Sequence, residues 1–422
     1  MKRRRQPARR EARGGRGARP GGGREGATLE VTVERILPGG VGLAHEGGQT
    51  VLVGLSAPGD RLRVRVERAR GKTLFASPVE VLEPSPARVE PPCPYFGRCG
   101  GCDFQQLTYD AQLSAKADII RDYLRRIAHV EPPEHIPVTP SPREWRYRSR
   151  AQWQYDARRE LFGYFERGSH KVCDVVDCPV VVPELRQTLD DLRAEEPARL
   201  SPYGDAAEFQ AVAGDGGEVS LAPPLREERP RELTRTIAGE TYRFDARCFF
   251  QINHDLLEPP LREALEDIED TTARNNSLAV DLYCGVGLFT LPLARRFARV
   301  VGVEGHPLAC DYARRNLSDA GLTNASIETA PVGEWLAAHA TELAPADFVL
   351  LDPPRTGAEP SAVEGILALR PLRISYVSCD PATLARDLRA LADGGYRLAS
   401  VAAFDLFPQT HHVETVVRLT NS

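Results

Sequence analysis

The clearest pattern of apolar and polar positions lies in the last third of the chain. From residue 277 onward, short apolar runs alternate with segments of helical periodicity, from LAVDLYC through VVGVEG and FVLLDPP to ISYVSCD. Apolar strands that alternate with helices are typical of a parallel sheet covered on both faces. The last two apolar runs, 398–407 and 413–420, have no helix between them, so we expect an antiparallel end to this sheet.

The N-terminal pattern is different. Four short runs between residues 29 and 82 are separated by Gly and Pro turns, and this spacing predicts a small β-barrel. In the third run Arg61, Arg63 and Arg65 alternate with apolar residues, so the three arginines share one face of a strand. That face is either a solvated surface or a stripe that meets the phosphates of a nucleic acid.

Between these two regions the pattern is harder to interpret. Apolar positions recur at helical spacing over about 108–128, and alternating aromatic and charged residues over 141–182 indicate strands. We expect the helix to pack on the C-terminal domain. The predicted division of the chain is a disordered basic tail (1–26), a barrel (27–86), a central α+β domain (87–240) and a C-terminal α/β domain (241–422).

Composition limits the class of protein. The net charge of the 422 residues is −5, yet residues 1–26 contain ten Arg or Lys and two Glu. This tail is either a solvated leader or a segment attracted to phosphates. The sequence contains no apolar run near the about 20 residues of a membrane span and no apolar core of a secretory signal, so we expect no membrane partner. Nine cysteines without an export signal favour a reducing compartment, and we expect a cytoplasmic location.

A glycine-containing turn follows the first strand of the C-terminal sheet. Its sequence runs from Asp281 through Gly285 to Gly287, and Glu304 ends the next strand. Glycines permit a tight turn close to a ligand, and an acidic residue at the second strand end can bind ribose hydroxyls. The turn lacks the third glycine of a dinucleotide site and the lysine of a P-loop. We therefore expect an adenosine with a small charged group, such as S-adenosylmethionine.

Candidate chemistry lies at the carboxyl edge of the same sheet. Asp352 follows the fourth strand, and Cys379 follows the fifth and directly precedes a helix. A helix N-terminus is expected to lower the pKa of the thiol and favour the thiolate. Addition of a thiolate to carbon 6 of uracil makes carbon 5 nucleophilic, and carbon 5 can then take the methyl group of a donor. Glu414 is the candidate base that removes the carbon-5 proton.

Four other cysteines form a second candidate site. Cys93, Cys99 and Cys102 lie in a Pro/Gly-rich loop, and Cys178 comes much later, directly before a proline. Four thiolates bind either zinc or an iron–sulfur cluster, and the spacing does not decide between them. Cys173 competes with Cys178 for the fourth position.

Taken together, these motifs identify a family resemblance over residues 27–422. The run C-x5-C-G-G-C, the segments FFQIN, DLYCGVG, VGVEG and LLDPPR-x-G, the signature SC-x-PATLARD and the late Glu-containing strand occur in that order. The chain resembles the RNA uracil-5-methyltransferases, specifically the branch with a TRAM barrel and a 4Fe-4S cluster. The resemblance implies a Rossmann-like S-adenosylmethionine-dependent methyltransferase domain, an N-terminal OB-like TRAM β-barrel that binds RNA, and a small central α+β domain that holds the cluster.

The resemblance also assigns roles to individual residues. It implies that Cys379 is the nucleophile and Glu414 the base. The implied cofactor-binding residues are Gln251, Tyr283, Gly285, Gly287, Glu304 and Asp352. The implied cluster ligands are Cys93, Cys99, Cys102 and Cys178. Three positions depart from the family pattern, namely Asp380, Leu288 and Pro331, and a carboxylate at Asp380 would oppose formation of the Cys379 thiolate unless it points away.

The implied activity is methylation of carbon 5 of one uridine in RNA, in 23S ribosomal RNA rather than transfer RNA because the barrel and the cluster occur together in the ribosomal branch. The target base must be flipped out of a helix or lie in a loop to be reached. A non-catalytic iron–sulfur RNA-binding protein is the alternative from another class, and it would not need Cys379 with Glu414. We expect a monomer.

Overall fold

The computed structural model describes residues 25–195, 200, 203–204, 206–225, 228–266, 268 and 276–421. The predicted disordered tail therefore lies outside the described residues, apart from its last two positions. No helix in the described ranges combines the length and apolar character that crossing a membrane requires.

The N-terminal region forms one six-stranded sheet in the order β1-β5-β6-β4-β3-β2, antiparallel except for the β4–β6 pair. Every second side chain of its central strands points inward, and Val51, Leu62, Val64 and Leu74 form part of one buried cluster. The strands are β1 (Thr28–Thr32), β2 (Arg35–Leu37), β3 (Val41–Glu46), β4 (Gln49–Val53), β5 (Arg61–Arg70) and β6 (Thr73–Glu83).

The three arginines of β5 do share one face, but glutamates on the neighbouring strands form ion pairs with two of them, and Arg65 pairs with Glu67 of β5 itself. Arg61 forms ion pairs with Glu30 of β1 and Glu83 of β6, and Arg63 pairs with Glu30 and Glu80 in the same way. The antiparallel register places these opposite charges next to each other across the sheet. We therefore interpret this face as a solvated ion-pair ladder rather than a stripe free to bind phosphates.

The central region builds a five-stranded antiparallel sheet in the order β10-β9-β8-β11-β12. Its first helix continues into a single π-helical turn. Ile120 of the helix and Leu124 and Ala128 of the turn join the same buried cluster as Leu384 and Leu388 of the C-terminal region. The elements are α1 (Tyr109–Tyr123), the π-helix (Leu124–Ala128), β7 (Val138–Thr139), β8 (Arg150–Asp156), β9 (Leu161–Phe165), β10 (Val172–Asp174), α2 (Pro183–Ala194), β11 (Ala206–Ala213) and β12 (Val219–Ala222).

The C-terminal region begins with a hairpin and a short helix: β13 (Leu233–Ile237), β14 (Glu240–Phe244), a 3-10 turn (His254–Leu256) and α3 (Glu258–Ala264). The predicted domain boundary between residues 240 and 241 falls inside this hairpin. The alternating part follows: β15 (Leu278–Leu282), α4 (Thr290–Ala294), β16 (Arg299–Glu304), α5 (Pro307–Asp319), β17 (Ala325–Thr329), α6 (Val332–Leu343), β18 (Phe348–Leu351), α7 (Pro360–Leu369), β19 (Arg373–Ser378), α8 (Pro381–Asp393), β20 (Tyr396–Phe404) and β21 (Glu414–Asn421).

The large sheet has the order β17-β16-β15-β18-β19-β21-β20-β7. Strands β15 to β19 are parallel, and β21 runs antiparallel between β19 and β20. The predicted parallel sheet with an antiparallel end is thereby confirmed. Strand β7 adds to the edge beside β20, so the chain before residue 140 contributes to the C-terminal sheet.

A buried ion pair ties α1 to the segment that follows β20. Lys116 and Asp405 are both 0% exposed, and the ammonium group of Lys116 bonds to the carboxylate of Asp405 and donates to the carbonyl oxygen of Phe407 (3.1 Å). Burial lowers the pKa of Lys116, and the attraction of Asp405 opposes that shift. An ion pair in such a place is costly to break because either partner alone would be an unpaired buried charge.

We predict that Lys116→Met lowers the free energy of unfolding by about 3–5 kcal/mol, because Asp405 loses its only lysine partner in the described part of the chain. The double variant Lys116→Met/Asp405→Leu is expected to recover most of that loss. Denaturant titration of the wild type and both variants measures the difference. Equal destabilisation by the single and double variants would show that packing, not charge pairing, dominates here.

Candidate functional site

Strand ends bring the predicted reactive residues together at one edge of the large sheet. Cys379 directly follows β19, and Glu414 begins β21. The register pairs Ser378 with Thr415, so Cys379 and Glu414 lie side by side on adjacent antiparallel strands. Asp352 follows β18, the parallel neighbour of β19. Both carboxyl groups are close enough to the Cys379 thiol to raise its pKa electrostatically.

The helix that follows Cys379 is capped by its own preceding residue. Asp380 is the N-cap of α8, and its Oδ1 accepts hydrogen bonds from the backbone N–H groups of Ala382 (2.8 Å) and Thr383 (3.4 Å). Pro381 stands in the first turn, where a missing N–H group costs nothing. The Asp380 carboxylate is therefore occupied by the helix N-terminus, and its effect on the Cys379 pKa is the smallest of those acting on the thiol.

The expected lowering of the Cys379 pKa is wrong. Burial raises the pKa of this thiol to about 12, and the carboxylates of Glu414 and Asp352 add to the rise. The helix N-terminus and the nearby Arg355 guanidinium favour the thiolate but do not compensate for desolvation and the two neighbouring carboxyl groups. At neutral pH the neutral thiol is therefore the favoured form of Cys379 in the free protein.

Glu414 is the most isolated carboxyl group of the site. It is 1% exposed, and neither carboxylate oxygen has a hydrogen-bond partner among the described residues. Burial raises its pKa well above the ordinary value, the Asp352 carboxylate raises it further, and Arg355 alone acts in the opposite direction. Such a group holds a proton at a pH where an exposed glutamate would have lost it.

Gln251 and Asp352 form a contact of their own beside this pair. The Gln251 side-chain amide donates to Asp352 Oδ2 (3.3 Å), which lowers the Asp352 pKa, yet burial dominates and raises that pKa to about 7. Gln251 comes from the loop after β14, where Phe249 is 63% exposed and Phe250 is buried. The loop thus brings an amide to the sheet edge from outside the alternating part of the domain.

The predicted nucleotide-binding turn has the backbone that its glycines allow. Gly285 and Gly287 have φ angles of +55° and +95°, a region that other residues seldom adopt. The Glu304 carboxylate accepts from the backbone N–H of Gly285 (3.1 Å) and of His306 (2.8 Å). The turn after β15 and the end of β16 are therefore joined, as the sequence spacing implied.

Two further residues of this turn have polar contacts on the protein side. The Tyr283 hydroxyl donates to the Glu359 carboxylate, and the other oxygen of Glu359 accepts from Gly333 N (3.1 Å). Asp281 is fully buried, accepts a bond from Thr290 through Oδ2, and has no partner for Oδ1 in the described ranges. Burial raises the Asp281 pKa to about 8.

These acidic groups suit a small cationic ligand with hydroxyl groups. Glu304, Asp352 and Asp281 lie at the ends of three neighbouring parallel strands, the edge where such sheets bind ligands. An orphaned buried acceptor at Asp281 and a raised Asp352 pKa both mean that a donor or a positive charge would be favourable there. The donor set therefore fits S-adenosylmethionine, whose sulfonium and amino groups are positive.

The four predicted ligand cysteines line a single small cavity. The cavity has a volume of about 90 Å³, and its lining includes Cys93, Cys99, Cys102 and Cys178. The fully buried Cys173 is not among its lining residues. Burial raises the pKa of Cys99 to about 11, and the neighbouring thiols raise it further. Among the described residues, no group of three or more His, Cys, Asp or Glu side chains has the arrangement needed to hold a metal ion.

Two arginines of the sites were not predicted from the sequence. Arg355 is the cation that faces both Cys379 and Glu414, and Arg148 lines the cysteine cavity, where it interacts with Cys102 and Cys178. The motif containing Arg355 was visible in the sequence. No signal marked Arg148, because the run of charged and aromatic residues around it does not show which arginine faces the cysteines.

Comparison with known proteins agrees with this architecture. The family model described as tRNA (Uracil-5-)-methyltransferase matches residues 233–422, and the TRAM domain of tRNA (uracil(54)-C(5))-methyltransferase matches residues 29–87. An uncharacterized RNA methyltransferase of Thermosynechococcus vestitus is 33% identical over 94% of this chain and 99% of its own.

Two named relatives extend across the chain as well. The 23S rRNA (uracil(1939)-C(5))-methyltransferase RlmD of Pseudomonas aeruginosa is 34% identical over 96% of this chain and 98% of its own. The crystal structure of Pyrococcus abyssi tRNA (uracil-54, C5)-methyltransferase in complex with S-adenosyl-L-homocysteine is 27% identical, covers 93% of this chain and all of its own, and superposes with a TM-score of 0.70. The resemblance found in the sequence is confirmed: the chain belongs to the RNA uracil-5-methyltransferase family.

Proposed function

We propose that this enzyme methylates carbon 5 of one uridine in 23S ribosomal RNA, with Cys379 as nucleophile and Glu414 as the base. The observation that carries the proposal is the placement of a thiol beside a buried, unpartnered carboxyl group at the ligand-binding edge of the sheet. A thiol with a purely structural role needs no such neighbour. An unpartnered buried carboxyl group lowers the stability of the fold, and features of this kind cluster at functional sites.

The first step is addition of the Cys379 sulfur to carbon 6 of the uracil ring. The S–C bond forms as the ring double bond moves its electron pair toward the carbonyl oxygen at position 4, which makes carbon 5 nucleophilic. The thiol proton must leave at the same time, since the pKa of about 12 keeps the thiolate scarce at neutral pH. The neighbouring Asp352 carboxylate is an acceptor for that proton, and Arg355 favours the anion.

Bound S-adenosylmethionine supplies an electrophilic methyl group that carbon 5 takes up. Asp281, Tyr283, Glu304 and Asp352 stand where they would hold this cofactor, together with Gln251 and the two glycines of the turn. After transfer, Glu414 removes the proton from carbon 5, and the electron pair of that C–H bond restores the ring double bond as the Cys379 sulfur leaves. A raised pKa makes the ionised Glu414 a stronger base than an exposed glutamate.

The choice of RNA rests on the relatives. The P. aeruginosa RlmD match and similar matches from Pectobacterium atrosepticum and Vibrio parahaemolyticus name uracil 1939 of 23S rRNA, at 32–34% identity over at least 92% of this chain. The structural match to a transfer RNA enzyme at 27% identity supports the second candidate, a uridine in transfer RNA. In either substrate the target base must leave its stack to reach Cys379.

We further propose that Cys93, Cys99, Cys102 and Cys178 hold a 4Fe-4S cluster. A single zinc ion needs four sulfurs at about 2.3 Å, drawn tightly around one point. The four thiols line one cavity of about 90 Å³, and a 4Fe-4S cluster takes four cysteine thiolates as ligands. The half-buried Arg148 guanidinium would offset the negative charge of a thiolate-ligated cluster. Free thiols persist under reducing conditions, which supports a cytoplasmic location.

We predict that RNA containing 5-fluorouridine forms a denaturant-resistant adduct with the wild-type enzyme, because fluorine at carbon 5 cannot be removed as a proton by Glu414. Gel electrophoresis of fluorinated 23S rRNA and transfer RNA transcripts under denaturing conditions measures the adduct. We expect adduct with 23S rRNA, none with transfer RNA, and none with Cys379→Ala. Cys310→Ala is the matched control, since this thiol is buried in the core.

An adduct that survives Cys379→Ala would assign the nucleophile elsewhere. Adduct on transfer RNA alone would favour the second candidate substrate and leave the chemistry intact.

We predict that Glu414→Gln impairs turnover but increases stability at alkaline pH. Methyl transfer should proceed but release of the RNA should stop, so that methylated RNA stays covalently bound to the variant. The free variant should also be more stable than the wild type in alkaline buffer. A raised folded-state pKa stabilises the fold below the ordinary pKa of glutamate, and this contribution is lost as the pH rises through the folded pKa. The glutamine side chain is neutral at every pH, so the variant does not lose stability in this way as the pH rises.

Mass spectrometry of the trapped RNA and thermal unfolding at pH 5 and pH 9 check both effects. Multiple turnover by Glu414→Gln would place the base elsewhere, and a stability difference independent of pH would contradict the raised pKa.

We predict that Cys178→Ser loses most of the bound iron, because the cavity then lacks one thiolate, whereas Cys173→Ser keeps it. Iron and acid-labile sulfide analysis of protein purified without oxygen provides the measurement. Equal iron contents in the two variants, or zinc in the wild type, would overturn the cluster assignment.

A further inference from the structure

The chain before Glu414 is largely buried and receives contacts from four parts of the molecule. Residues 405–411, here called the base segment, form most of the link (405–413) between β20 and β21, and residues 405–410 are buried. Glu414 itself has no hydrogen bond to either carboxylate oxygen within the described residues. Since no side-chain partner fixes that carboxyl group, the backbone path that leads into β21 determines where it lies.

The strongest contacts come from the loop that carries the cavity cysteines. The backbone N–H groups of Asp103 and Phe104, the two residues after Cys102, both donate to the carbonyl oxygen of Gln409 (3.1 and 3.0 Å). In return, the Asp103 carboxylate accepts from the backbone N–H of His411 (2.8 Å) and is hydrogen-bonded to the Nδ1 atom of its ring. These four contacts bind the loop of residues 93–104, here called the cysteine loop, directly to the base segment.

Contacts from other elements hold the same segment in an unfavourable backbone conformation. Gln409 has a φ angle of +68°, a region that residues other than glycine seldom adopt. The Gln112 side chain accepts from Gln409 N (2.9 Å) and donates to Gln409 Oε1 (3.0 Å), and the Tyr147 hydroxyl donates to the Pro408 carbonyl oxygen (2.9 Å). Strain of this kind persists only where the surroundings overdetermine it.

The TRAM barrel touches the segment as well. A Cβ atom added to Gly40, in the turn between β2 and β3, would lie 2.9 Å from His411 Cβ and 3.2 Å from the Phe104 ring. Gly40 has a φ angle of +73°. The barrel, the cysteine loop and the base segment therefore meet at one point. His411 of the base segment contacts both of the other two.

We propose that Asp103 is a positioning residue that transmits the order of the cysteine loop to the base segment and so fixes Glu414 for proton removal. The proposal deepens the proposed function and rests on the roles given there to Cys379 and Glu414. The cysteine loop thereby contributes to proton removal, the step that follows transfer of the methyl group. Asp103 itself contacts neither the thiol nor the base.

Asp103→Ala should therefore slow proton removal more than addition. With ordinary uridine RNA and methyl donor, we expect the covalent methylated adduct to persist about 10- to 100-fold longer than in the wild type, since small displacements of a catalytic group have effects of this size. Adduct formation with 5-fluorouridine RNA, which does not require Glu414, should be nearly unchanged. Asp103→Asn can still accept from His411 N and should show an intermediate lifetime.

Arg167→Ala is the matched control. The Arg167 guanidinium donates to the carbonyl oxygen of Cys102 (3.0 Å), so it binds the same loop, but it makes no hydrogen bond to the base segment within the described residues. We expect a wild-type adduct lifetime in this variant. Iron content is measured in all variants, so that loss of the metal is separated from loss of the Asp103 contacts.

Hydrogen exchange supplies a readout that is independent of activity. Amides of residues 405–413 should exchange faster in Asp103→Ala than in the wild type, while those of α7 should not change. Asp103→Ala with wild-type adduct lifetime and wild-type exchange would overturn the proposal. If Asp103→Ala does not fold, the same two measurements on Asp103→Asn decide, and wild-type values for both overturn it. Failure of the proposed function has a different signature, because wild-type enzyme would then form no adduct with fluorinated RNA.

Discussion

The burial of Glu414 beside the Cys379 thiol is the constraint on which this active site depends. Transfer of an ionised carboxylate into an apolar interior without a partner costs several kcal/mol, so the group keeps its proton to a higher pH. The same burial raises the pKa of Cys379 to about 12. Both groups to which we assign the chemistry are thus held in neutral forms, and a bound cation, together with Arg355, would shift the balance toward the anions that the proposed reaction needs.

The rest of the fold holds this costly arrangement in place. Parallel strands β15, β18 and β19 end at one edge, and the antiparallel strand β21 places Glu414 next to them. The base segment is fixed by the cysteine loop, by α1 through Gln112 and the Lys116–Asp405 pair, and by the barrel turn at Gly40.

Much of this could be predicted from the sequence, because periodicity and strand ends are local properties. The alternating pattern predicted the parallel sheet and its antiparallel end, and strand-end positions placed Asp352, Cys379 and Glu304 at one edge. The thiol pKa could not be predicted, since it depends first on how deeply Cys379 itself is buried and then on the nearby carboxyl groups of Glu414 and Asp352. The arginine face of β5 was ambiguous for a similar reason: the glutamate partners of Arg61 and Arg63 lie on other strands, and their register appears only in the folded sheet.

Infrared spectroscopy of the free enzyme tests the central claim most directly. A difference spectrum between wild-type enzyme and a variant with glutamine at position 414 isolates the carbonyl stretch of this one carboxyl group as the pH is raised. The account predicts that the band of the protonated acid persists well above pH 4.5 and converts to the carboxylate band only at a much higher pH. Conversion with a midpoint near 4.5 would show that the group is solvated or paired, and would contradict the account.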